Sequence, residues 1–235
     1  MDVDIWSDVM CPFCYIGKRK FEQALAQFPQ REQIRVTWKS FQLNPDLVTD
    51  PTKSTVAYLA ESKGWSLEQA NQITEQVTDM ARQVGLSYDF SKAVVANSWD
   101  AHRVSQLANQ HGLGDAMEER LFKAYFTEGR NIADYATLVE LGTDVGLPAE
   151  AITAVLNSDQ FADTVSRDIY EAQQVGVRGV PFFVLNQRYA VSGAQQPETF
   201  LKALETAWGE FEKTRPALTD LSAAGDACGL DGAGC

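Results

Sequence analysis

Two cysteines with two residues between them, Cys11 and Cys14, are the side chains best suited to chemistry in this sequence. They follow a short apolar segment, residues 3–6, and they open a helical pattern that extends to about residue 28. Pro12 suits the first turn of a helix, where its missing N–H costs nothing. Cys11 then lies at the helix N-terminus, where unpaired N–H groups and the helix dipole favour a thiolate. The pattern predicts that Cys11 is a redox nucleophile.

Cys14 follows one turn later and on the same helix face. It can close a disulfide with Cys11, or it can resolve a mixed disulfide that Cys11 has formed with a substrate. The intervening Pro12 and Phe13 offer no imidazole or ammonium to stabilise a thiolate. We therefore expect a less oxidising couple than a motif with histidine there would give, and we assign Phe13 to the substrate-binding side of the motif.

Length and charge restrict the class of protein. The 235 residues are 45% hydrophobic, which suffices for a large core, and the net charge of −12 argues against nucleic acid and anionic membrane surfaces as partners. No apolar run approaches the length of about 18 residues that a membrane span needs. The first residues lack the pattern of a signal peptide, so we expect a cytoplasmic protein, in which cysteines are catalytic, redox-sensing or metal-binding rather than structural disulfides.

Alternating apolar residues predict a second strand over residues 34–41, parallel to the first. From about Lys53 the pattern is helical for more than a hundred residues, with a capping box at Ser66 and Gln69 and later helices at about 97–111, 115–127, 134–145, 149–156 and 159–175. Residues 180–185 and 189–191 then predict an antiparallel hairpin, and Pro197 opens a final helix.

This order of elements predicts an α/β fold: a thioredoxin-like fold with a helical insertion domain. The thioredoxin-like core comprises residues 1–44 and 176–210, and the helical insertion comprises residues 45–175. Residues 211–235 are poor in apolar bulk and are predicted to be a flexible tail that contains two cysteines.

The C-P-F-C motif, the helical insertion and the segment from Gly176 to Val184 together resemble the DsbA family of thioredoxin-fold oxidoreductases, and in particular its FrnE-like branch. The resemblance extends over about residues 3–208. It implies that Pro181 is a cis proline facing the cysteine pair and that the backbone of Val180 pairs with an extended substrate. A cis proline at the start of a strand leaves backbone groups free for such pairing, whereas an ordinary trans proline at a strand start remains the alternative.

Arg178, Trp99 and His102 are further candidates for substrate binding. Arg178 lies near Pro181 in the sequence and is either a partner for a thiolate or carboxylate, or a solvated loop residue. Trp99, His102 and Arg103 share one helical face, because they are spaced three and four residues apart. They either line a groove between insertion and core, or they form a buried tryptophan with an exposed His-Arg edge.

Cys228 and Cys235 form a second pair, separated by six glycine-rich residues that are flexible enough to close a disulfide loop. We interpret them as a secondary redox pair that relays electrons between an external donor and the Cys11–Cys14 pair. The FrnE-like tails usually space this pair more closely. The alternatives are incidental thiols, or a zinc site built from all four cysteines.

The leading functional hypothesis is a thiol-disulfide oxidoreductase or isomerase that needs no metal and no tightly bound cofactor. Its partners would be disulfide-containing proteins or small thiols, with a reductase system as electron donor. The chain also resembles 2-hydroxychromene-2-carboxylate isomerases and kappa-class transferases, which act on small molecules with glutathione. Those enzymes typically have serine at the first position of the motif, whereas this chain has both Cys11 and Cys14, which favours dithiol chemistry. A glutathione-dependent isomerase or transferase is the alternative function, and glutathione or another small thiol is a candidate co-substrate.

Overall fold

A strand-helix-strand unit forms the start of the chain in the computed structural model, which describes residues 1–214. Strand β1, Asp2–Ser7, pairs in parallel with β2, Arg35–Ser40, and helix α1, Pro12–Gln27, connects them. The register places Ser7 opposite Ser40. The predicted second strand and the predicted end of the first helix are confirmed to within one or two residues.

The predicted hairpin is also confirmed. Strands β5, Phe182–Leu185, and β6, Tyr189–Ser192, pair antiparallel, and β5 also pairs antiparallel with β1, which gives a four-stranded sheet of order β2-β1-β5-β6. The final helix, α9, runs from Pro197 to Thr214 and so continues past the boundary expected at residue 210. Phe211 extends its apolar face by packing against Trp208, with the ring centroids 5.2 Å apart.

The insertion contains the helices that the sequence predicts, and the capping box at Ser66 and Gln69 is present. One departure is a π-helical turn, Ala124–Glu128, which follows the fifth helix directly. The helices are α2 Thr55–Lys63, α3 Leu67–Gln83, α4 Trp99–Gln110, α5 Gly114–Lys123, α6 Tyr135–Asp144, α7 Ala149–Leu156 and α8 Ala162–Gln174.

A small sheet inside the insertion was not predicted. Strand β3, Asp50–Ser54, pairs antiparallel with the two-residue strand β4, Val94–Val95. The β3 segment is polar, contains Pro51 and lacks alternating apolar residues, so its sequence carries no strand pattern. No helix within residues 1–214 is long and apolar enough to cross a membrane.

The main sheet has one cluster of apolar side chains on each face, because successive strand residues point to opposite sides. Helices α1 and α9 cover one face, and α8 lies against the other. The sheet residues on the first face are Val3, Ile5, Phe183 and Leu185, and those on the second are Trp6, Phe182 and Val184.

The insertion packs directly on the helix that carries the cysteine motif. Tyr15 stacks on Phe122 of α5 with ring centroids 5.0 Å apart. The Tyr88 hydroxyl, from the loop after α3, donates a 2.7 Å hydrogen bond to the carbonyl of Pro12. The insertion therefore contacts the first turn of α1 at two points.

Candidate active site

Cys11 immediately precedes the first helical residue, Pro12, at the N-terminus of α1, as the sequence predicts. Its extended backbone, with φ −88° and ψ 110°, ends the β1–α1 loop, and its amide donates to the carbonyl of Asp8 at 2.9 Å. No side chain of the described residues caps this helix end. Pro12 has no N–H and the Cys14 amide donates to the Cys11 carbonyl at 3.0 Å, so the Phe13 N–H and the helix dipole are what this helix end offers to a negative charge on the Cys11 sulfur.

The start of β5 lies against the motif. The Val180–Pro181 peptide bond is cis, as the resemblance implies, and the Cys11 thiol donates a hydrogen bond to the Val180 carbonyl at 3.4 Å. Gly17, in the next turn of α1, makes this approach feasible, because a Cβ on Gly17 would lie only 2.8 Å from Cγ of Pro181. The motif and the proline segment therefore form one site.

Cys14 is fully buried directly behind Cys11. Burial raises the pKa of the Cys14 thiol well above its ordinary value, and the neighbouring Cys11 raises it further. The Asp8 amide and the Ser7 side chain act in the opposite direction. Ser7 is itself buried, and its hydroxyl has no hydrogen-bond partner among residues 1–214. The hydroxyl is therefore free to donate to a Cys14 thiolate, which agrees with the direction in which Ser7 shifts the Cys14 pKa.

A cleft of about 470 Å³ opens over Cys11 between the core and the insertion. Phe13 and Val180 line it, and their role in substrate binding stays a prediction. Arg178 does not line it and is solvent-exposed, and Trp99, although half-buried, does not line it either. Most of its lining residues are apolar and come from the motif and from helices α2 and α3. Sequence reasoning did not connect α2 and α3 with the site.

His102 does not line a groove, so that expectation is corrected. The imidazole is 1% exposed, and its Nε2 lies 3.6 Å from a carboxylate oxygen of Asp8. Arg103 is also buried, because its guanidinium donates to the backbone carbonyls of Gln160, Val155 and Ser158. The alternative of an exposed His-Arg edge is therefore wrong as well.

Asp8 and His102 belong to a buried ionisable group that sequence reasoning missed. Asp8 accepts from the amide of Leu43 at 2.8 Å and so ties the motif loop to the segment after β2. Burial lowers the pKa of His102, but the nearby carboxylate of Asp8, together with the charge of Glu118, outweighs burial and leaves the pKa above its ordinary value. Glu118 is also buried, which raises the pKa of its carboxyl group.

The second predicted redox pair, Cys228 and Cys235, lies outside the described residues. Within residues 1–214, no group of three or more histidine, cysteine or acidic side chains is arranged to hold a metal ion. The only cysteines in that range are Cys11 and Cys14, and both are free thiols.

A sheet of this order, with a cysteine pair at the start of α1 and a cis proline against it, defines a thioredoxin-fold protein of the thiol oxidoreductase class. The chain belongs to the family of DSBA-like thioredoxin domains, whose profile matches residues 2–205.

Solved structures agree with this assignment. A probable DsbA oxidoreductase from Streptomyces coelicolor is 40% identical, with a TM-score of 0.85, and the match covers 99% of this chain and 97% of that one. The cytosolic disulfide reductase DsbM from Pseudomonas aeruginosa is 21% identical with a TM-score of 0.63, covering 89% and 100%, and has also been solved with GSH. A 2-hydroxychromene-2-carboxylate isomerase is 16% identical with a TM-score of 0.63, covering 95% and 100%. The last two likenesses concern the fold alone.

Proposed function

We propose that this protein is a thiol-disulfide oxidoreductase or isomerase whose working couple is the Cys11–Cys14 dithiol. The observation that carries the proposal is the position of Cys11. It lies at an uncapped helix N-terminus, beside the Val180 carbonyl and at the base of an apolar cleft, with a second thiol buried behind it.

The reaction follows from that order of thiols. The Cys11 thiolate attacks one sulfur of a substrate disulfide, so that a Cys11–substrate disulfide forms and the other half leaves as a thiolate and takes up a proton. Cys14 then loses its proton and attacks the Cys11 sulfur, which releases the remaining substrate thiol and leaves a Cys11–Cys14 disulfide. The substrate gains two electrons and the protein loses two. The reverse sequence oxidises a dithiol, and release by a thiol of the substrate gives isomerisation.

The residues around the motif have separate roles in this proposal. Val180 offers its backbone beside the reacting sulfur, Pro181 holds that backbone against α1, and Phe13 forms part of the substrate surface. Arg178, Trp99 and His102 lie outside the cleft, and we assign them no contact with substrate.

Partners and compartment are also proposals. We expect disulfide-containing proteins or small thiols as substrates and a reductase system as electron donor, in the cytoplasm, the compartment stated for DsbM. The net charge of −12 favours partners other than nucleic acid and anionic membranes. We assign the protein to the FrnE-like branch on the C-P-F-C motif, the helical insertion and the segment from Gly176 to Val184.

A second candidate is a glutathione-dependent isomerase or transferase acting on a small molecule. It is supported by the apolar cleft, whose size suits a small ligand, and by the fold shared with an enzyme of that kind. Such chemistry has no use for Cys14, so the buried second thiol favours the dithiol proposal.

Insulin reduction with dithiothreitol as the electron donor tests the proposal. Wild type should accelerate cleavage of the insulin disulfides, and Cys11→Ser should reduce the rate to that of dithiothreitol alone. With serine at both Cys228 and Cys235, a redox titration should show one two-electron couple that is lost in both Cys11→Ser and Cys14→Ser. Equal insulin rates in wild type and Cys11→Ser would contradict the proposal, and glutathione-dependent isomerisation that survives Cys14→Ser would favour the second candidate.

A further inference from the structure

The walls of the cleft over Cys11 are largely apolar and aromatic. Phe13 and Leu43 lie on the core side, and Leu59, Trp65, Ile73 and Phe90 lie on the insertion side. Leu43 is 52% exposed and Phe13 is 38% exposed, so both present apolar surface to an incoming molecule. Aromatic walls of this kind favour a flat ring, which they contact through stacking or edge-to-face geometry.

Most polar groups of the lining are already engaged within the protein. Asn44 donates to the Tyr58 hydroxyl at 3.1 Å, and the Thr55 hydroxyl donates to the Ala93 carbonyl at 2.8 Å. A ligand with many polar groups would therefore leave them without partners along these walls, which is costly. Glutathione, with its ammonium, two amides and two carboxylates, is such a ligand.

Lys63, at the C-terminal end of α2, is the only charged residue among those of residues 1–214 that line the cleft. It is exposed and forms no ion pair with residues 1–214, whereas many other lysines of that range do, among them Lys18 and Lys39. On a chain with a net charge of −12, an unpaired ammonium at the edge of an apolar cleft attracts an anionic group of the ligand.

We propose that the cleft selects small aromatic disulfides and thiols that carry a carboxylate, with the ring between the apolar walls and the carboxylate at Lys63. This inference rests on the proposed dithiol function and specifies its substrate class. A volume of about 470 Å³ suits a small molecule, and the sulfur of such a ligand meets Cys11 at the base of the cleft.

Single-turnover kinetics with reduced wild type can test this selection. The probes are 4,4′-dithiodibenzoate, its dicarboxamide analogue and glutathione disulfide, and each rate is divided by the rate of the same disulfide with free dithiothreitol. This division removes differences in leaving-group reactivity. We expect the dibenzoate to exceed the dicarboxamide by about twofold to fivefold, since an exposed ion pair contributes little, and both to exceed glutathione disulfide by about tenfold or more.

Two variants assign the effects to the cleft. Lys63→Gln should equalise the dibenzoate and the dicarboxamide, whereas Lys202→Gln, the same change on an exposed residue of α9 that does not line the cleft, should leave their ratio unchanged. Leu43→Gln should lower both aromatic rates and spare glutathione disulfide. Because the side chains of Lys63 and Leu43 are exposed, we expect Lys63→Gln and Leu43→Gln to fold like wild type.

The outcomes separate this inference from the proposed function. If wild type reacts with the three disulfides at the same relative rates as free dithiothreitol does, the proposed selection is refuted and the dithiol function stands. An equal loss of insulin reduction in Lys63→Gln and Leu43→Gln would also overturn it, because the cleft would then serve protein substrates. Absence of reaction with any disulfide would overturn the proposed function itself.

Discussion

The sulfur of Cys11 and the carbonyl oxygen of Val180 lie 3.4 Å apart, although 169 positions separate the two residues in the chain. The whole helical insertion lies between them in sequence. The pairing of β1 with β5 brings the two segments together, because Trp6 near the end of β1 lies opposite Phe182 at the start of β5. The geometry of the site therefore depends on the core sheet, and the insertion forms the other wall of the cleft over Cys11.

Gly17→Ala should disturb this arrangement. The new methyl group would approach Pro181 to 2.8 Å, so that the Pro181 segment or α1 must move. We expect a loss of about 1–3 kcal/mol in the free energy of unfolding, measured by urea denaturation. Gly209→Ala, in α9, is a matched control because its methyl group would meet nothing within 4 Å, and it should stabilise the protein by about 0.5–1 kcal/mol. Equal effects at the two positions would refute the close packing at Gly17.

Ser7→Ala should slow the second step of the reaction. The Ser7 hydroxyl is free to donate to a Cys14 thiolate and opposes the rise in the Cys14 pKa that burial causes, so that its loss should disfavour the Cys14 thiolate. A hydrogen bond to a charged group justifies an expectation of about tenfold slower resolution, seen as accumulation of the Cys11 mixed disulfide in quenched-flow samples. Attack by Cys11 should keep its rate.

Ser40→Ala provides the control for Ser7→Ala. Ser40 lies opposite Ser7 in the β1–β2 register and is equally buried, but its hydroxyl accepts from Gln106 and belongs to a different hydrogen-bond network. Resolution should be unchanged in Ser40→Ala. If Ser7→Ala slows attack and resolution alike, its role is structural.

His102→Gln should change how stability depends on pH. The folded pKa of His102 is raised above its unfolded value of about 6.5, since Asp8 and Glu118 outweigh the effect of burial. The contribution of His102 is therefore complete below about pH 6.5 and declines as the pH rises through the folded pKa. The difference in unfolding free energy between wild type and His102→Gln should be about 3 kcal/mol near pH 6 and smaller near pH 9.

His111→Gln is the corresponding control, because it removes the other histidine from an exposed position after α4. Its stability should follow the pH dependence of wild type. A difference between wild type and His102→Gln that is independent of pH would mean that the imidazole acts only through packing.

Deletion of residues 226–235 should slow turnover with a macromolecular reductant, because it removes the proposed Cys228–Cys235 relay. Single-turnover attack by Cys11 on a small disulfide should be unchanged, since that step does not use the relay. The double variant with serine at Cys228 and Cys235 should behave like the deletion. Unaltered kinetics with every reductant tested would exclude the relay.

The sequence predicted the core well because its signals are local. Alternating apolar residues defined β2, and two short apolar runs on either side of residues 186–188 defined β5 and β6. The proline within the C-x-x-C motif defined the start of α1. The small β3–β4 sheet escaped prediction because Asp50–Ser54 is polar and exposed and becomes a strand only through pairing.

The site residues were harder to predict where burial depends on distant partners. Every residue of α4 from Ala101 to Ala108 is buried. The spacing of polar and apolar residues along this helix therefore could not identify a side that faces solvent. His102 is buried beside Asp8, and the buried Arg103 guanidinium donates to three backbone carbonyls. These partners lie far away in sequence, so the local pattern could not show them. The role suggested for Ser7 likewise became visible only when its hydroxyl was found near Cys14 without a hydrogen-bond partner among residues 1–214.

The most direct test of the dithiol mechanism is to trap its intermediate. Cys14→Ser, in a background in which Cys228 and Cys235 are also serine, should attack a disulfide substrate and then stop, because the resolving thiol is absent. Intact-mass analysis and peptide mapping should find one half of the substrate disulfide-bonded to Cys11, releasable by dithiothreitol. Absence of any adduct on Cys11, under conditions in which wild type reduces the same disulfide, would contradict the mechanism.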